Sequence, residues 1–208
     1  MIGFFGGSFD PVHFGHLKNA QQIKNELNLS ELFLMPCREP VHKSKLTFLT
    51  EQRLQMLQIA IQDFPELSLD TREINRKSES YSIDSLKEIA LEFPEEVICL
   101  IIGMDSFNQL SSWKDYQKFH QYCHLIVLAR PGEINEQNYA EFTLTQNPKD
   151  LLRKSVGLVY FAKTELHDIS SSDIRGILFE TSQEGKIHAQ QSLDELIPKR
   201  IINYLQKL

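Results

Sequence analysis

The chain has 208 residues, of which 41% are hydrophobic and 24% are charged. This composition supports a packed core and argues against an intrinsically disordered protein. The formal net charge is −6 at pH 7, whereas nucleic-acid-binding domains are usually basic, so we expect no nucleic-acid partner. The length predicts a single α/β domain over residues 1–208.

Short apolar runs alternate with helical patterns along the chain. The predicted strands cover residues 2–5, 32–35, 67–69, 97–102, 125–128 and 158–161. The predicted helices cover residues 16–28, 50–64, 82–93, 171–181 and 198–208. This alternation predicts an α/β fold, a doubly wound and mostly parallel sheet with helices on both faces. Residues 133–154 are polar, which predicts a surface excursion with a short helix.

The segment GGSFDPVHFGH, residues 6–16, directly follows the first predicted strand. Its glycines, Gly6 and Gly7, allow a tight turn and a close approach of ligand to backbone. His13 and His16 lie near the start of a predicted helix, whose N-terminus attracts anions. We therefore predict a phosphate site in which both imidazoles donate to phosphate oxygens and neutralise their charge, and in which the Asp-Pro turn is a brace. The alternative is a glycine turn with two incidental surface histidines.

A second candidate phosphate site is the segment ISSSDIR, residues 169–175. Serines that precede a helix act as N-caps, and the free N–H groups behind them bind anions. Arg175 lies in the first turn and can bind phosphate through two nitrogens. The alternative is a capped helix with a surface arginine. Together, the two segments predict two helix N-termini that bind one triphosphate.

Both segments resemble signatures of the nucleotidyltransferase superfamily. GGSFDPVHFGH resembles its G-x-F-D-x-x-H-x-G-H motif, and ISSSDIR resembles its I-S-S-[ST]-x-x-R motif. Members transfer a nucleotidyl group from a nucleoside triphosphate to an acceptor and release pyrophosphate. The resemblance implies a Rossmann-like nucleotidyltransferase fold in which His13, His16 and Arg175 are catalytic. The implied ATP-binding residues are Gly6, Gly7, Ser8, Phe9, His13, His16, Gly103, Asp105, Ile169, Ser171, Ser172 and Arg175.

Four further stretches resemble the bacterial nicotinate-nucleotide adenylyltransferase family. They are MPCREPVHK, TEQRLQMLQIA, ESYSIDSL and LIIGMDSFNQLSSW. In the third stretch serine replaces both threonines of the family pattern, at Ser82 and Ser85, so the hydroxyls persist. The resemblance implies that the protein adenylylates nicotinate mononucleotide in NAD biosynthesis. It also implies magnesium (Mg²⁺) bridging phosphate oxygens, with no protein ligand named for the metal.

The same resemblance implies an acceptor site made of His42, Lys43, Ser82, Trp113 and Lys114. The Ser82 hydroxyl and the backbone N–H of the residue after Trp113 would hold the nicotinate carboxylate. From the residues alone, Trp113 could stack on an aromatic ring or pack in the core. Asp105 follows a predicted buried strand and could bind a ribose or cap a helix.

Several alternatives stay open or are disfavoured. Neither G-x-G-x-x-G nor G-x-x-x-x-G-K-[ST] is present, which disfavours a dinucleotide-binding dehydrogenase and a P-loop NTPase. The acceptor could instead be nicotinamide mononucleotide or phosphopantetheine, and a non-catalytic nucleotide sensor is a further alternative. A nucleic-acid role like that of tRNA synthetases is disfavoured by the acidic charge. His120, Cys123 and His124 lack the glutamate of a zincin, so we do not expect zinc there.

The cysteines and the N-terminus predict the location of the protein. The three cysteines are scattered and form no C-x-x-C pair, which is typical of reduced thiols. The N-terminal residues lack the pattern of a signal peptide, and no apolar run approaches the roughly 20 residues of a membrane span. We expect a cytoplasmic protein with no membrane partner, and a homo-oligomer is left open.

Overall fold

A parallel sheet lies at the centre of the molecule. The structure is a computed structural model that describes residues 1–38, 46–128, 141–162, 169–181 and 193–208. The strands in these ranges are β1 Ile2–Gly7, β2 Glu31–Pro36, β3 Ser68–Leu69, β4 Ile98–Gly103, β5 His124–Leu128, β6 Thr143–Thr145 and β7 Leu158–Ala162. Their order is β3-β2-β1-β4-β5-β7-β6, and neighbouring strands are parallel throughout. The predicted doubly wound sheet is confirmed.

Helices connect most of these strands. They are α1 Phe14–Glu26, α2 Thr50–Ala60, α3 Arg72–Asn75, α4 Ser82–Glu92, α5 Met104–Asn108, α6 Ser171–Thr181 and α7 Lys199–Leu205. Short 3₁₀ helices cover Leu110–Ser112, Tyr116–Gln121 and Pro148–Leu152. Parallel strands need such crossover connections, which explains why helices lie between them. In the described part of the chain, no helix is both long enough and apolar enough to cross a membrane.

Each face of the sheet carries its own hydrophobic core. Successive side chains of a strand point to opposite faces, and β1 shows this directly. Phe5 is buried with Leu17 of α1 and Met56 of α2. Phe4 is buried with Ile83 of α4 on the other face. The side chains of β1 therefore fix α1 and α2 on one side of the sheet and α4 on the other.

The strand order reverses direction at β1. β1 pairs with β2 on one side and with β4 on the other, and Phe5 lies opposite Ile101 of β4. Ligands of open parallel sheets bind outside the carboxyl ends of the strands at such a switch point. Here those ends are Gly7 of β1 and Gly103 of β4. Of the residues predicted to bind ATP, those from Ser8 to His16 follow β1, and Asp105 follows β4.

The prediction for residues 133–154 missed a strand. Thr143–Thr145 forms β6, which pairs with β7 at the edge of the sheet, and the predicted short helix is the 3₁₀ helix Pro148–Leu152. Three residues are too few to show a strand period in a sequence.

His124, the first residue of β5, is fully buried, and its Nδ1 accepts a hydrogen bond from the Leu158 N–H at 3.0 Å. His124 is therefore a structural link between β5 and β7.

Candidate active site

The loop after β1 brings the two motif histidines together. His13 is the N-cap of α1, and its Nδ1 accepts a hydrogen bond from the His16 N–H at 3.3 Å. The two rings are stacked, with their centroids 3.7 Å apart. The helix predicted over residues 16–28 begins two residues earlier, at Phe14, and that start places both rings side by side.

His13 is a neutral hydrogen-bond donor in this structure. It is only 5% exposed, and burial lowers the pKa of its ring to about 4. Because Nδ1 accepts from a backbone N–H, the proton of the neutral ring belongs on Nε2, which can donate to a phosphate oxygen. Desolvation disfavours the imidazolium of His13 in the free protein. The prediction that both histidines neutralise phosphate charge therefore depends, for His13, on the bound phosphates.

Gly15 gives the His13 ring its space. A Cβ at this position would lie 2.9 Å from both Cε1 and Nδ1 of His13 and 3.4 Å from the carbonyl oxygen of Ile169. The first of these distances is too short for a real contact, so the ring lies where only glycine fits. The close Ile169 carbonyl also shows that the C-terminal motif adjoins the first turn of α1.

We expect Gly15→Ala to lower kcat about tenfold, because the added methyl displaces the His13 ring from its stacked position. The measurement is the rate of pyrophosphate release at saturating concentrations of ATP and of the acceptor. Gly176→Ala is the matched control, since Gly176 lies in α6 and a Cβ there meets nothing within 4 Å. The control should keep its rate and gain slight stability. An unchanged kcat in Gly15→Ala would show that the position of the His13 ring is unimportant.

The C-terminal motif binds directly to the N-terminal one. The Ser171 hydroxyl donates to the carbonyl oxygen of Pro11 at 3.1 Å. Arg175 donates from Nη1 to the carbonyl oxygen of Asp10 at 2.7 Å and from Nη2 to the Ser172 hydroxyl at 3.0 Å. The N-termini of α1 and α6 therefore lie side by side. Arg175 uses part of its donor fork in these bonds and, at 32% side-chain exposure, keeps N–H groups available.

The cap of α6 is Ser170, the serine before the two predicted to bind ATP. Its hydroxyl accepts from the Asp173 N–H at 3.1 Å and donates to the Asp173 carboxylate at 2.6 Å. Ser170 therefore caps one backbone N–H of the first turn without help from Ser171 or Ser172. The helix cap therefore needs neither of the two serines that are predicted to bind phosphate.

Asp10 connects the loop after β1 to two other segments of the chain. Its side chain is 3% exposed, and its two oxygens accept hydrogen bonds from the N–H groups of Thr47 and Phe48, each at 2.9 Å. One of these oxygens also lies 3.7 Å from Nη1 of Arg175. Asp10 therefore ties the loop after β1 to the segment before α2 and to α6, as a brace that need not touch substrate.

Glycines and a buried aromatic ring shape the space at the switch point. A Cβ at Gly6 or Gly103 would meet nothing within 4 Å, so the backbone is open there to a ligand. Phe9 has φ 47° and is fully buried, with its ring edge-on to His16 at a centroid distance of 5.0 Å. Since the ring is enclosed, only the backbone of Phe9 can contact ATP. The ring of Phe9 instead packs against the ring of His16.

The structure decides the two readings of Asp105. Gly103 is the N-cap of α5, and Asp105 lies inside its first turn with an exposed side chain. The helix-cap reading is therefore wrong, because Asp105 lies two residues after the N-cap. An exposed carboxylate at the carboxyl end of β4 is consistent with the reading that it accepts from a ribose.

The structure describes three of the five predicted acceptor residues, Ser82, Trp113 and Lys114. Ser82 is the first residue of α4, and the Nζ atom of Lys114 lies 4.0 Å from the ring centroid of the neighbouring Tyr81. This contact joins the stretch ESYSIDSL to the residue that directly follows LIIGMDSFNQLSSW, and the resemblance implies that the two stretches share one site. Trp113 is half-buried, edge-on to Phe119 at 6.2 Å. His42 and Lys43 lie outside the described residues, as does Pro40.

Sequence reasoning missed a fully buried arginine beneath the loop after β1. Arg53 of α2 is 0% exposed and donates from Nη1 to the Ser8 carbonyl oxygen at 2.6 Å. The only sequence signal was its place in the R-x-x-M pattern of the stretch TEQRLQMLQIA. Arginine in a helix ordinarily predicts an exposed residue, so its burial could not be foreseen.

Comparison with known proteins identifies the class to which this arrangement belongs. Residues 4–177 match the family model described as cytidylyltransferase-like, so the chain belongs to the cytidylyltransferase-like family of nucleotidyltransferases. A "probable nicotinate-nucleotide adenylyltransferase" of Vesicomyosocius okutanii is 50% identical over 208 residues, covering 100% of this chain and 95% of the relative. A relative of the same name from Psychromonas ingrahamii is 39% identical over 211 residues, covering 99% and 94%. Within the family, the chain therefore groups with the nicotinate-nucleotide adenylyltransferases.

Solved structures agree with this placement at the level of the fold. The nicotinic acid mononucleotide adenylyltransferase of Plasmodium falciparum, complexed with NaAD, superposes with a TM-score of 0.74 at 23% identity. The match covers 99% of this chain and 94% of that one. A second structure of that enzyme, complexed with APC, gives a TM-score of 0.73 at 22% identity, with the same coverage.

Proposed function

We propose that this protein transfers the adenylyl group of ATP to nicotinate mononucleotide, giving nicotinate adenine dinucleotide and pyrophosphate in NAD biosynthesis. The observation that carries the proposal is the junction of two helix N-termini at the switch point of the sheet. Ser171 and Arg175 of α6 bond to the carbonyls of Pro11 and Asp10, next to the stacked histidines of α1. Relatives named nicotinate-nucleotide adenylyltransferase, one of them at 50% identity over the full chain, support the acceptor.

The reaction needs positioned donors rather than a general base. The acceptor phosphate oxygen is already an anion, and it attacks the α-phosphorus of ATP. The new P–O bond forms as the bond from the α-phosphorus to the bridging oxygen breaks, and pyrophosphate carries away that electron pair. The enzyme then acts by alignment and by stabilising the charge that develops on the phosphates.

Each half of the site has a distinct part in this step. His13 and His16 would donate from their rings to the α- and β-phosphate region. Arg175 would bind the departing pyrophosphate with its remaining N–H groups. The Ser171 hydroxyl donates to Pro11, so this serine would contribute its backbone N–H, whereas Ser172 can donate from its hydroxyl.

The donor set around the site fits a metal held by the substrate. In the described residues, no group of three His, Cys, Asp or Glu side chains is arranged to hold an ion. Mg²⁺ prefers oxygen ligands, keeps several waters and commonly binds through phosphates. Bound with the triphosphate, it would neutralise part of the phosphate charge, and we assign it no protein ligand.

The acceptor would lie along the N-terminus of α4. The first N–H groups of a helix have no partner within the helix and favour an anion such as a carboxylate. Ser82 and the backbone N–H of Lys114 are our proposed ligands for the nicotinate carboxylate, with Trp113 beside the pyridine ring. His42 and Lys43 remain proposed phosphate ligands. We also propose a cytoplasmic location, which fits the three scattered cysteines with no C-x-x-C pair.

The test is pyrophosphate release from MgATP with and without nicotinate mononucleotide. We expect release only when the acceptor is present, together with formation of the dinucleotide in equal amount. ATP binding without release under any condition would contradict the proposal and identify a nucleotide sensor. Release without an acceptor would contradict it too, because water would then be the nucleophile.

A further inference from the structure

Arg53 is buried in a way that stability alone does not explain. In addition to its bond to Ser8, its Nη2 donates to the carbonyl oxygen of Arg38 and lies 3.3 Å from the Thr50 hydroxyl. In the described part of the chain, no carboxylate forms an ion pair with it. A buried charge without a partner charge is costly, so these carbonyl contacts must serve another purpose.

The contacts of Arg53 continue through two further arginines. Arg38 donates from Nη1 to the carbonyl oxygen of Arg76 at 2.6 Å. Arg76 donates from Nη1 to the hydroxyls of Ser80 at 2.9 Å and Ser85 at 3.1 Å. We call Arg53, Arg38 and Arg76 the arginine chain. It begins at Ser8 in the loop after β1 and ends at the first turn of α4.

The far end of the arginine chain is itself firmly held. Arg76 forms an ion pair from Nη2 to Glu88 at 2.8 Å, and the Ser85 hydroxyl donates to the buried carboxylate of Glu73 at 2.8 Å. Ser85 and Glu88 belong to α4, and Glu73 belongs to α3. The end of the chain is therefore fixed to the helix whose first residue is Ser82.

We infer that the arginine chain is a positioning device that holds the ATP loop and the acceptor helix α4 at the spacing that in-line transfer needs. The inference rests on the proposed function, which places ATP at the loop after β1 and the acceptor at α4. Transfer between two bound substrates depends strongly on their alignment, and an error of about 1 Å can lower the rate about 100-fold. None of the three arginines needs to touch a substrate for this effect.

The test compares Arg38→Met, Arg53→Met and the double variant with wild type. Arg38 is exposed, so its replacement should leave the fold intact, and Arg53→Lys is the second variant if Arg53→Met does not fold. We expect each single change to lower kcat about tenfold while the KM for ATP changes less than about twofold. The double variant should be no slower than the slower single variant, because both changes break the same chain.

Arg200→Met is the matched control. Arg200 lies in α7 and contacts Gln62 at 2.7 Å and Asp63 at 3.7 Å, beyond the other end of α2. Arg200→Met should leave kcat unchanged. Combined with Arg38→Met, it should give the same kcat as Arg38→Met alone. Wild-type kcat in Arg38→Met, or fully multiplicative losses in the double variant with Arg53→Met, would overturn the inference.

A second readout does not depend on turnover. Loss of Arg53 should speed amide hydrogen exchange at Asp84 and Ser85 of α4, whose N–H groups donate to the carbonyl oxygen of Tyr81, although Arg53 contacts neither of them directly. Unchanged exchange there would overturn the inference even if activity fell. The acceptor used by wild type is determined first, so a preference for another acceptor would refute the proposed substrate and leave this test intact.

Discussion

Replacing His16 with alanine is expected to lower kcat for pyrophosphate release by about 10²- to 10³-fold, the usual effect of removing one donor that stabilises developing charge. His16 lies in the first turn of α1, stacked on His13 at 3.7 Å and supported by the buried ring of Phe9. The thermal unfolding midpoint should fall by only a few degrees, because the His16 ring is half-buried and His13, not His16, is the N-cap of the helix.

The control for this variant is His120→Ala. His120 bonds to the carbonyl oxygen of Gln117 at 2.6 Å and adjoins Phe142, away from the loop after β1. It should keep wild-type kcat. If His16→Ala also turned over at the wild-type rate, the assignment of residues 6–16 as the phosphate site would be wrong.

Asp10→Asn should reduce both stability and turnover. The buried carboxylate accepts from two backbone N–H groups, and an amide has a single oxygen, so one of them would face an NH₂ group. An unsatisfied buried donor costs about 1–3 kcal/mol, which corresponds to a fall of roughly 2–12 °C in unfolding midpoint for a chain of this size. We expect kcat to fall about tenfold as well, because Arg175 loses its neighbouring charge.

Asp70→Asn is the control that separates the effect on stability from the effect on turnover. Asp70 is also buried, accepting from the Arg72 N–H at 2.9 Å and pairing with its Nε at 2.7 Å, but it lies outside the proposed site. This change should lower the unfolding midpoint and leave kcat unchanged. An Asp10→Asn protein with wild-type kcat would show that Asp10 contributes only to stability.

Much of the fold could be predicted because its signals are local. The run 98–102 is entirely apolar, as expected of a strand buried on both faces, and the structure has β4 there. The two segments predicted to bind phosphate are short and continuous, so their positions at helix N-termini followed from the order of residues. Edge strand β6 was not predictable, since its existence depends on pairing with a strand more than ten residues further on.

The connections within the site could not be predicted, because they join residues far apart in the chain. The bonds from Asp10 to Thr47 and from Arg53 to Ser8 span 37 and 45 residues. Likewise, the neutral state of His13 depends on burial, which appears only once α1 has packed. The sequence named the groups that we propose as phosphate ligands, and the structure showed which residues hold them in place.

The most direct test of the account is a competition among three acceptors. Wild-type protein would receive MgATP with equal concentrations of nicotinate mononucleotide, nicotinamide mononucleotide and phosphopantetheine, and the adenylylated products would be separated by mass. The account predicts that nicotinate adenine dinucleotide is the dominant product. Dominance of either other product would contradict the assignment of Ser82 and Lys114 to a carboxylate, although the ATP half of the site would stand.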